Sequence, residues 1–321
     1  MHPQIPLPLI DMSGVREGDP ASIRRVGEAI RQACCDIGFF YIVNHGVPQA
    51  VIDRAMAAAR DFFALPMETK RQVKVNARHR GWHALGGALM YQATKPDHKE
   101  FFSMGLELRE DDPCVLAGEA LRGPNQWPDF MPELRHALDA YYAAIGQAGA
   151  DLLKAVAVGL GLDATFFVDK YTKPLQRTQM VYYPPHPAMA EVDQFGVAPH
   201  TDYGCITLLY QDDSGGLQVR ELSTGSWIDA TPIPGSLVVN VGDLLGRWSN
   251  DRFRSTLHRV INRSGHERYS IATFYDPTYS AVVDPCELGI ARADSLYPPV
   301  AAGDYILKRI DDSMSYRKNQ A

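Results

Sequence analysis

The chain has 321 residues, with 38 acidic against 32 basic side chains for a formal charge of −6, and 45% of its residues are apolar. That composition supplies a real core and no basic excess, which excludes a disordered chain and a protein that coats polyanions. The longest apolar stretches, such as the one around Gly235 to Val241, are short and interrupted by Pro, Asn and Asp, so no membrane span is expected.

The opening MHPQIPLPLIDMS shows no basic stretch leading into an apolar run with a small-residue cleavage site, and a cytoplasmic location is expected. Five cysteines (Cys34, Cys35, Cys114, Cys205, Cys286) are scattered without C-x-x-C spacing. They argue against a disulfide framework and a thiolate zinc site, and most read as small buried hydrophobes. No repeat, low-complexity tract or long run of like charge is present.

Asp19-Pro20 reads as an N-cap followed by Pro at the first helical position, and Ile23, Val26, Ile30, Ala33, Cys34 and Ile37 then recur at helical spacing. GFFYIVNHGVP (38–48) is a strand-like run stopped by Asn-His-Gly. A second amphipathic helix follows, with Val51, Ile52, Ala55, Ala59, Phe62 and Phe63 on one face and Pro66 marking its end. From Arg78 to about Pro128 the chain lacks a clear period and reads as long loops with short strands, a texture that often borders a site. Helical period returns from Pro132 to Leu162 through Leu134, Leu138, Tyr141, Ile145, Leu152, Leu153 and Val156, closed by Gly159 and Gly161. Between Gln176 and Pro285 short β-rich runs alternate with Pro, Gly, Asp and Asn, predicting antiparallel strands in a sandwich or barrel. The tail from about Ala302 to Tyr316 reads as helix again. The expected fold is mainly β with flanking helices.

Most of the ten histidines have plain readings: His2 and His266 in solvent, His45 in a turn, His136 on a helix surface. His200 differs, because His200-Thr201-Asp202 sets an imidazole and a carboxylate two residues apart, on one face if the segment is a strand. An H-x-D triplet alone is weak. His258, 56 positions beyond Asp202 in a later β-like run, strengthens it, since a folded-back sheet can bring it beside the pair. Two imidazoles and one carboxylate on one face of an ion suit non-haem Fe(II) with open positions, while a three-ligand catalytic zinc site is the competing chemistry. Arg268 and Ser270 share a face of the next run and together offer a guanidinium fork and a hydroxyl to a carboxylate.

These residues, with IPLPLIDMS, GFFYIVNHGVP, FFALPMETK, DHKEFF, PHTDYGCITLLYQDDSGGLQV, GSLVVNVGDLL, RWSND, STLHRVIN and RYSIATFYDP, cover nearly the whole chain. In them the protein resembles the Fe(II)/2-oxoglutarate-dependent dioxygenase superfamily, in the branch of isopenicillin N synthase and the iron/ascorbate oxidoreductases. The resemblance implies a double-stranded β-helix, or jelly-roll, core over residues 176–290. An N-terminal α/β region (1–125), a long helix (126–175) and a C-terminal helical tail (291–321) would surround it. It further implies Fe(II) held by His200, Asp202 and His258. Arg268, Ser270 and Tyr183 would take the distal carboxylate of 2-oxoglutarate, with O2 as oxidant, ascorbate as an accessory reductant and a small organic molecule as substrate, most simply hydroxylated. No nucleic-acid or membrane partner is implied, and oligomeric state is left open.

Plant relatives usually carry Asn two positions before the tyrosine, where Val181 stands here. R-x-S also occurs in isopenicillin N synthase, which uses no 2-oxoglutarate, so an oxidase of that type stays open at this stage, as does a non-catalytic binding or sensor protein. Asn240 and Asp243 are expected to organise a strand end, and Leu217, Val238, Trp248 and Cys205 to pack the core. Phe274 or Tyr275 is expected to line the pocket. Arg80, Trp82, His83, Met90, Phe102 and Met104 lie in the region expected to border the substrate cavity.

Overall fold

The computed structural model describes residues 7–89, 93–185 and 194–314. The first half of the chain contains β1 (Leu9–Asp11), α1 (Pro20–Asp36), β2 (Phe39–Val43), α2 (Gln49–Phe63), α3 (Met67–Arg71), β3 (Gly81–His83), β4 (Glu100–Gly105), α4 (Pro113–Leu116) and α5 (Pro132–Gly159). Strands then dominate: β5 (Arg177–Tyr183), β6 (Val197–His200), β7 (Ile206–Gln211), β8 (Leu217–Arg220), β9 (Trp227–Asp229) and β10 (Leu237–Val241). The remainder comprises α6 (Asp243–Trp248), β11 (His258–Val260), β12 (Arg268–Tyr275), β13 (Val282–Val283), β14 (Val300–Ala301) and α7 (Ala302–Ser313).

Asp19 caps α1 as its sequence predicts, its carboxylate accepting from the Ser22 amide at 2.9 Å. β2 ends where Asn44 takes a left-handed conformation (φ 54°), tied by its side-chain amide to Asp11 at 2.8 Å. Helices α1 and α2 both pack on α5. The α1–α5 crossing depends on two glycines: a Cβ on Gly27 would lie 2.9 Å from the Ala155 carbonyl oxygen, and one on Gly159 2.7 Å from the Gly27 oxygen. Larger side chains there would force the helices apart.

A large sheet runs β1-β2-β10-β7-β12-β5-β4-β3 and a smaller one β6-β11-β8-β9. Apart from the parallel β1–β2 pair, neighbouring strands in both are antiparallel. Four strands from residues 7–130 therefore extend the same large sheet that the later strands build. The outer face of that sheet meets α5, where Gly149 lies against the Tyr275 ring, and a Cβ on it would come within 2.9 Å of ring atoms. The inner face turns toward the small sheet, and the Phe39 ring of β2 lies 5.1 Å from the His258 ring of β11.

Strand alternation sorts β12 between these two faces. Tyr275 stacks on Tyr171 at 5.1 Å, Thr273 meets Thr178 of β5 at 3.0 Å, and Ile271 is fully buried. Arg268, Ser270 and Phe274 look the other way, toward the small sheet. Leu217, Val238, Trp248 and Cys205 are buried, as their apolar runs predict. Among the described residues, no helix is long and apolar enough to cross a membrane.

Candidate active site

β6 and β11 pair antiparallel with His200 opposite His258, which sets the two rings 4.2 Å apart. β6 ends at His200, so Asp202 is delivered by the following loop and not by continued strand alternation, a difference from the sequence expectation. The loop is pinned by its own backbone: the Asp202 carbonyl accepts from the Asp243 amide at 2.7 Å. Asp243 also accepts from Thr201 at 3.1 Å, Ser255 at 2.7 Å and Arg309 at 2.5 Å, joining the loop to α6 and α7.

The three side chains converge, each offering one ligand atom within 4.8 Å of the others. Asp202 Oδ1 lies 3.7 Å from Nε2 of both His200 and His258, too long for hydrogen bonds but spannable by an ion. Its other oxygen is already occupied, accepting from Thr207 Oγ1 at 2.6 Å and Asn240 Nδ2 at 2.8 Å. Each imidazole directs Nδ1 to a backbone carbonyl, of Ala198 at 2.8 Å for His200 and of Thr256 at 3.1 Å for His258. A carbonyl only accepts, so Nδ1 carries the proton in both rings and each Nε2 presents its lone pair to the common point. This second layer of hydrogen bonds is the arrangement that fixes metal-binding histidines.

Electrostatics point the same way. Burial, reinforced by the neighbouring His258, holds the His200 imidazole below its ordinary pKa and so keeps it neutral. Burial alone would raise the Asp202 carboxyl, yet the two imidazoles with Thr207 and Asn240 outweigh it and keep the group ionised. The donor set therefore fits a divalent cation that takes nitrogen and oxygen ligands. No thiolate stands among the three.

Arg268 of β12 is fully buried, and its register partner on β5 is Tyr183. The guanidinium lies over the Tyr183 ring at 4.6 Å and donates to the Gly215 carbonyl at 2.6 Å and to Gln211 at 3.2 Å, with Ser270 Oγ at 3.4 Å. None of these neighbours is an acid. Gly196, just before β6, lets the Tyr183 ring approach the sheet that carries His200 and His258, since a Cβ there would come within 2.8 Å of it. Val181 is buried opposite Ser270 and Phe101, so no amide stands at that position.

A cavity of about 60 Å³ opens beside His200 and Asp202, walled by Lys99, Arg177, Gln179, Tyr203 and Phe274, with Ile310 and Met314 closing it from the C-terminal segment. Phe274, not Tyr275, is the inward member of that pair. The loop residues expected at the cavity border are elsewhere. Trp82 donates to the buried Glu100 at 2.6 Å, Phe102 packs on Phe62, and Arg80 donates to the Leu121 carbonyl. His83 stacks on Phe101, and Met104 is buried in the core. These are packing roles imposed by β3 and β4 joining the large sheet. Met90 lies outside the described residues. Sequence reasoning missed Thr207 and the positioning role of Asn240, and it passed over Arg177 and Gln179. The last two were findable, because they stand at period two before Val181 and Tyr183.

This geometry is that of a non-haem iron oxygenase, and comparison with known proteins agrees. Residues 7–130 match the family model described as the non-haem dioxygenase in morphine synthesis N-terminal region, and residues 174–277 match that of the 2OG-Fe(II) oxygenase superfamily. A 2-oxoglutarate-Fe(II) type oxidoreductase of Emericella nidulans is 36% identical over 95% of this chain and 89% of its own length. A homoarginine-6-hydroxylase of Arabidopsis thaliana is 35% identical, covering 94% and 93%. Among solved structures, a full-length Neurospora crassa protein in complex with alpha-KG and thymine superposes with a TM-score of 0.83 at 32% identity, covering 95% and 96%. The chain belongs to the 2-oxoglutarate–Fe(II) oxygenase superfamily and is an oxidoreductase of that class, with the superfamily's jelly-roll core.

Proposed function

We propose that His200, Asp202 and His258 bind Fe(II), that Arg268, Ser270 and Tyr183 bind the distal carboxylate of 2-oxoglutarate, and that the enzyme hydroxylates a small organic molecule held in the adjoining cavity. The observation that carries this reading is the pairing of a three-ligand cluster with a fully buried guanidinium that, among the described residues, has no acid partner. A buried, unpaired cation is costly, and a dianionic co-substrate is the group that would neutralise it.

Bound iron with 2-oxoglutarate and O2 supplies the oxidising power, the co-substrate leaving as succinate and CO2. The chain's own contribution is positional. The carbonyls of Ala198 and Thr256 orient the two rings, Thr207 and Asn240 turn Asp202 Oδ1 toward the common point, and the Tyr183 ring backs the Arg268 fork. Phe274, Ile310 and Met314 wall the space beside His200 and Asp202 with apolar surface. Ascorbate would be the accessory reductant for iron held there. A small-molecule partner is favoured over nucleic acid by the −6 charge, and five free cysteines suit the cytoplasm.

The test is anaerobic addition of Fe(II) and then 2-oxoglutarate, followed through the visible charge-transfer band of the chelate. The band should form in the native protein, and succinate should be released on exposure to air with a substrate. Iron binding without the band would overturn the co-substrate assignment.

A further inference from the structure

Resting on the reading of His200, Asp202 and His258 as metal ligands, we propose that Arg309 of α7 is a positioning residue for the metal site, acting on Asp202 through Asp243 and Tyr203. The three ligands are not held alike. His200 and His258 stand opposite one another on paired strands, so the β6–β11 ladder fixes where both rings start. Asp202 has no strand beneath it, because β6 ends at His200. Thr207 and Asn240 hold one of its carboxylate oxygens, but the backbone that carries the carboxylate is placed by whatever grips residues 201–203 from outside.

Arg309 grips that loop on two sides. Its Nη1 donates to Asp243 Oδ2 at 2.5 Å, the same oxygen that accepts from Thr201 Oγ1 at 3.1 Å. Ser255 donates to the other oxygen at 2.7 Å, so the carboxylate is fixed in rotation, and the Asp243 amide donates to the Asp202 carbonyl at 2.7 Å. One ion pair therefore ties α7 to the backbone of the ligand itself. On the second side the guanidinium lies 4.6 Å from the ring centroid of Tyr203, the residue directly after Asp202. The Tyr305 hydroxyl, one turn earlier in α7, accepts from the same Nη1 at 3.2 Å and steadies it. The helix does not depend on this contact for its own seat, because Ile306 and Ile310 are buried beneath it. Charge and geometry predict opposite signs for the loss of Arg309. A cation beside a metal site repels the ion, so an arginine acting by charge alone would, when removed, let the metal bind more tightly. An arginine that places Asp202 would, when removed, leave the site looser and the metal bound more weakly.

The experiment titrates the untagged, metal-free chain with Ni(II) by calorimetry, since that ion takes imidazole and carboxylate ligands and the measurement needs neither O2 nor turnover. Arg309→Met should weaken Ni(II) binding about tenfold, the low end of the range for groups that orient metal ligands, because Thr207 and Asn240 still hold the carboxylate. Arg309→Lys, which keeps a charged donor for Asp243, should recover part of that loss. Asp202→Ala leaves two imidazoles to bind Ni(II) more weakly, and adding Arg309→Met to it should bring no further loss, because the group through which Arg309 acts is already gone. Unchanged or tighter binding in Arg309→Met, a lysine variant as weak as the methionine one, or the same tenfold loss in the Asp202→Ala background would overturn the proposal. A native chain that does not bind Ni(II) would overturn the ligand assignment and this proposal with it.

Discussion

Replacing Arg268 by methionine tests the co-substrate pocket most directly. The side chain is fully buried, its guanidinium backed by the Tyr183 ring at 4.6 Å and held by Gly215 and Gln211. Methionine fills much of the volume and removes the charge, so the variant leaves a 2-oxoglutarate carboxylate facing a dry wall. Truncating one partner of a buried, hydrogen-bonded charge pair costs about 2–5 kcal/mol. At about 1.4 kcal/mol per tenfold, the dissociation constant for 2-oxoglutarate should rise by roughly 30-fold to a few thousand-fold. The upper half of that range is expected here, because the contacts of the guanidinium show no second cation able to take over. The assay is anaerobic titration of the iron-loaded variant with 2-oxoglutarate, with Fe(II) affinity measured separately in its absence. Arg268→Lys should fall between the two, keeping charge but losing the planar fork. Unchanged 2-oxoglutarate affinity in Arg268→Met, with the fold intact by circular dichroism, would refute the reasoning.

Three further outcomes are expected. Asp202→Ala should abolish iron-dependent succinate release while leaving far-ultraviolet circular dichroism unchanged, because the sheets are held by apolar burial and not by the metal; retained turnover would contradict the ligand assignment. Asn240→Ala removes the 2.8 Å donor to Asp202 Oδ2 and should weaken Fe(II) binding by about 10–100-fold in a metal titration. Burial holds His45, His83 and His200 below the ordinary histidine pKa in the folded chain. Each therefore contributes stability that is complete above about pH 6.5 and lost as pH falls, since the unfolded chain then binds the proton first. The melting temperature of the metal-free protein should decline from about pH 7 to about pH 5, and a flat or rising profile over that window would count against the neutral, buried imidazoles.

Much of this protein is legible in its sequence, for reasons that are local. The helix at Pro20 follows from Asp19-Pro20 and a 3.6-residue period, and the face shared by Arg268, Ser270 and Phe274 follows from strand alternation. His200, Asp202 and His258 could be singled out because few other chemistries ask for that donor set. Local rules do not reach across the fold, however. Whether β6 and β11 would pair with His200 opposite His258, and whether a loop rather than a strand would deliver Asp202, depended on pairing between segments some 60 residues apart. Arg80, Trp82, His83, Phe102 and Met104 do not wall the small cavity beside His200 and Asp202, because β3, β4 and the turn before β3 bury those side chains in packing at the edge of the large sheet. Conversely, Thr207 and Asn240 look unremarked in one dimension, since a hydroxyl or an amide gains its role from what the tertiary structure sets beside it. Sequence alone determined which groups could bind iron and an anion; the folded sheets decided which groups aim them, because direction and burial are properties of three-dimensional neighbours.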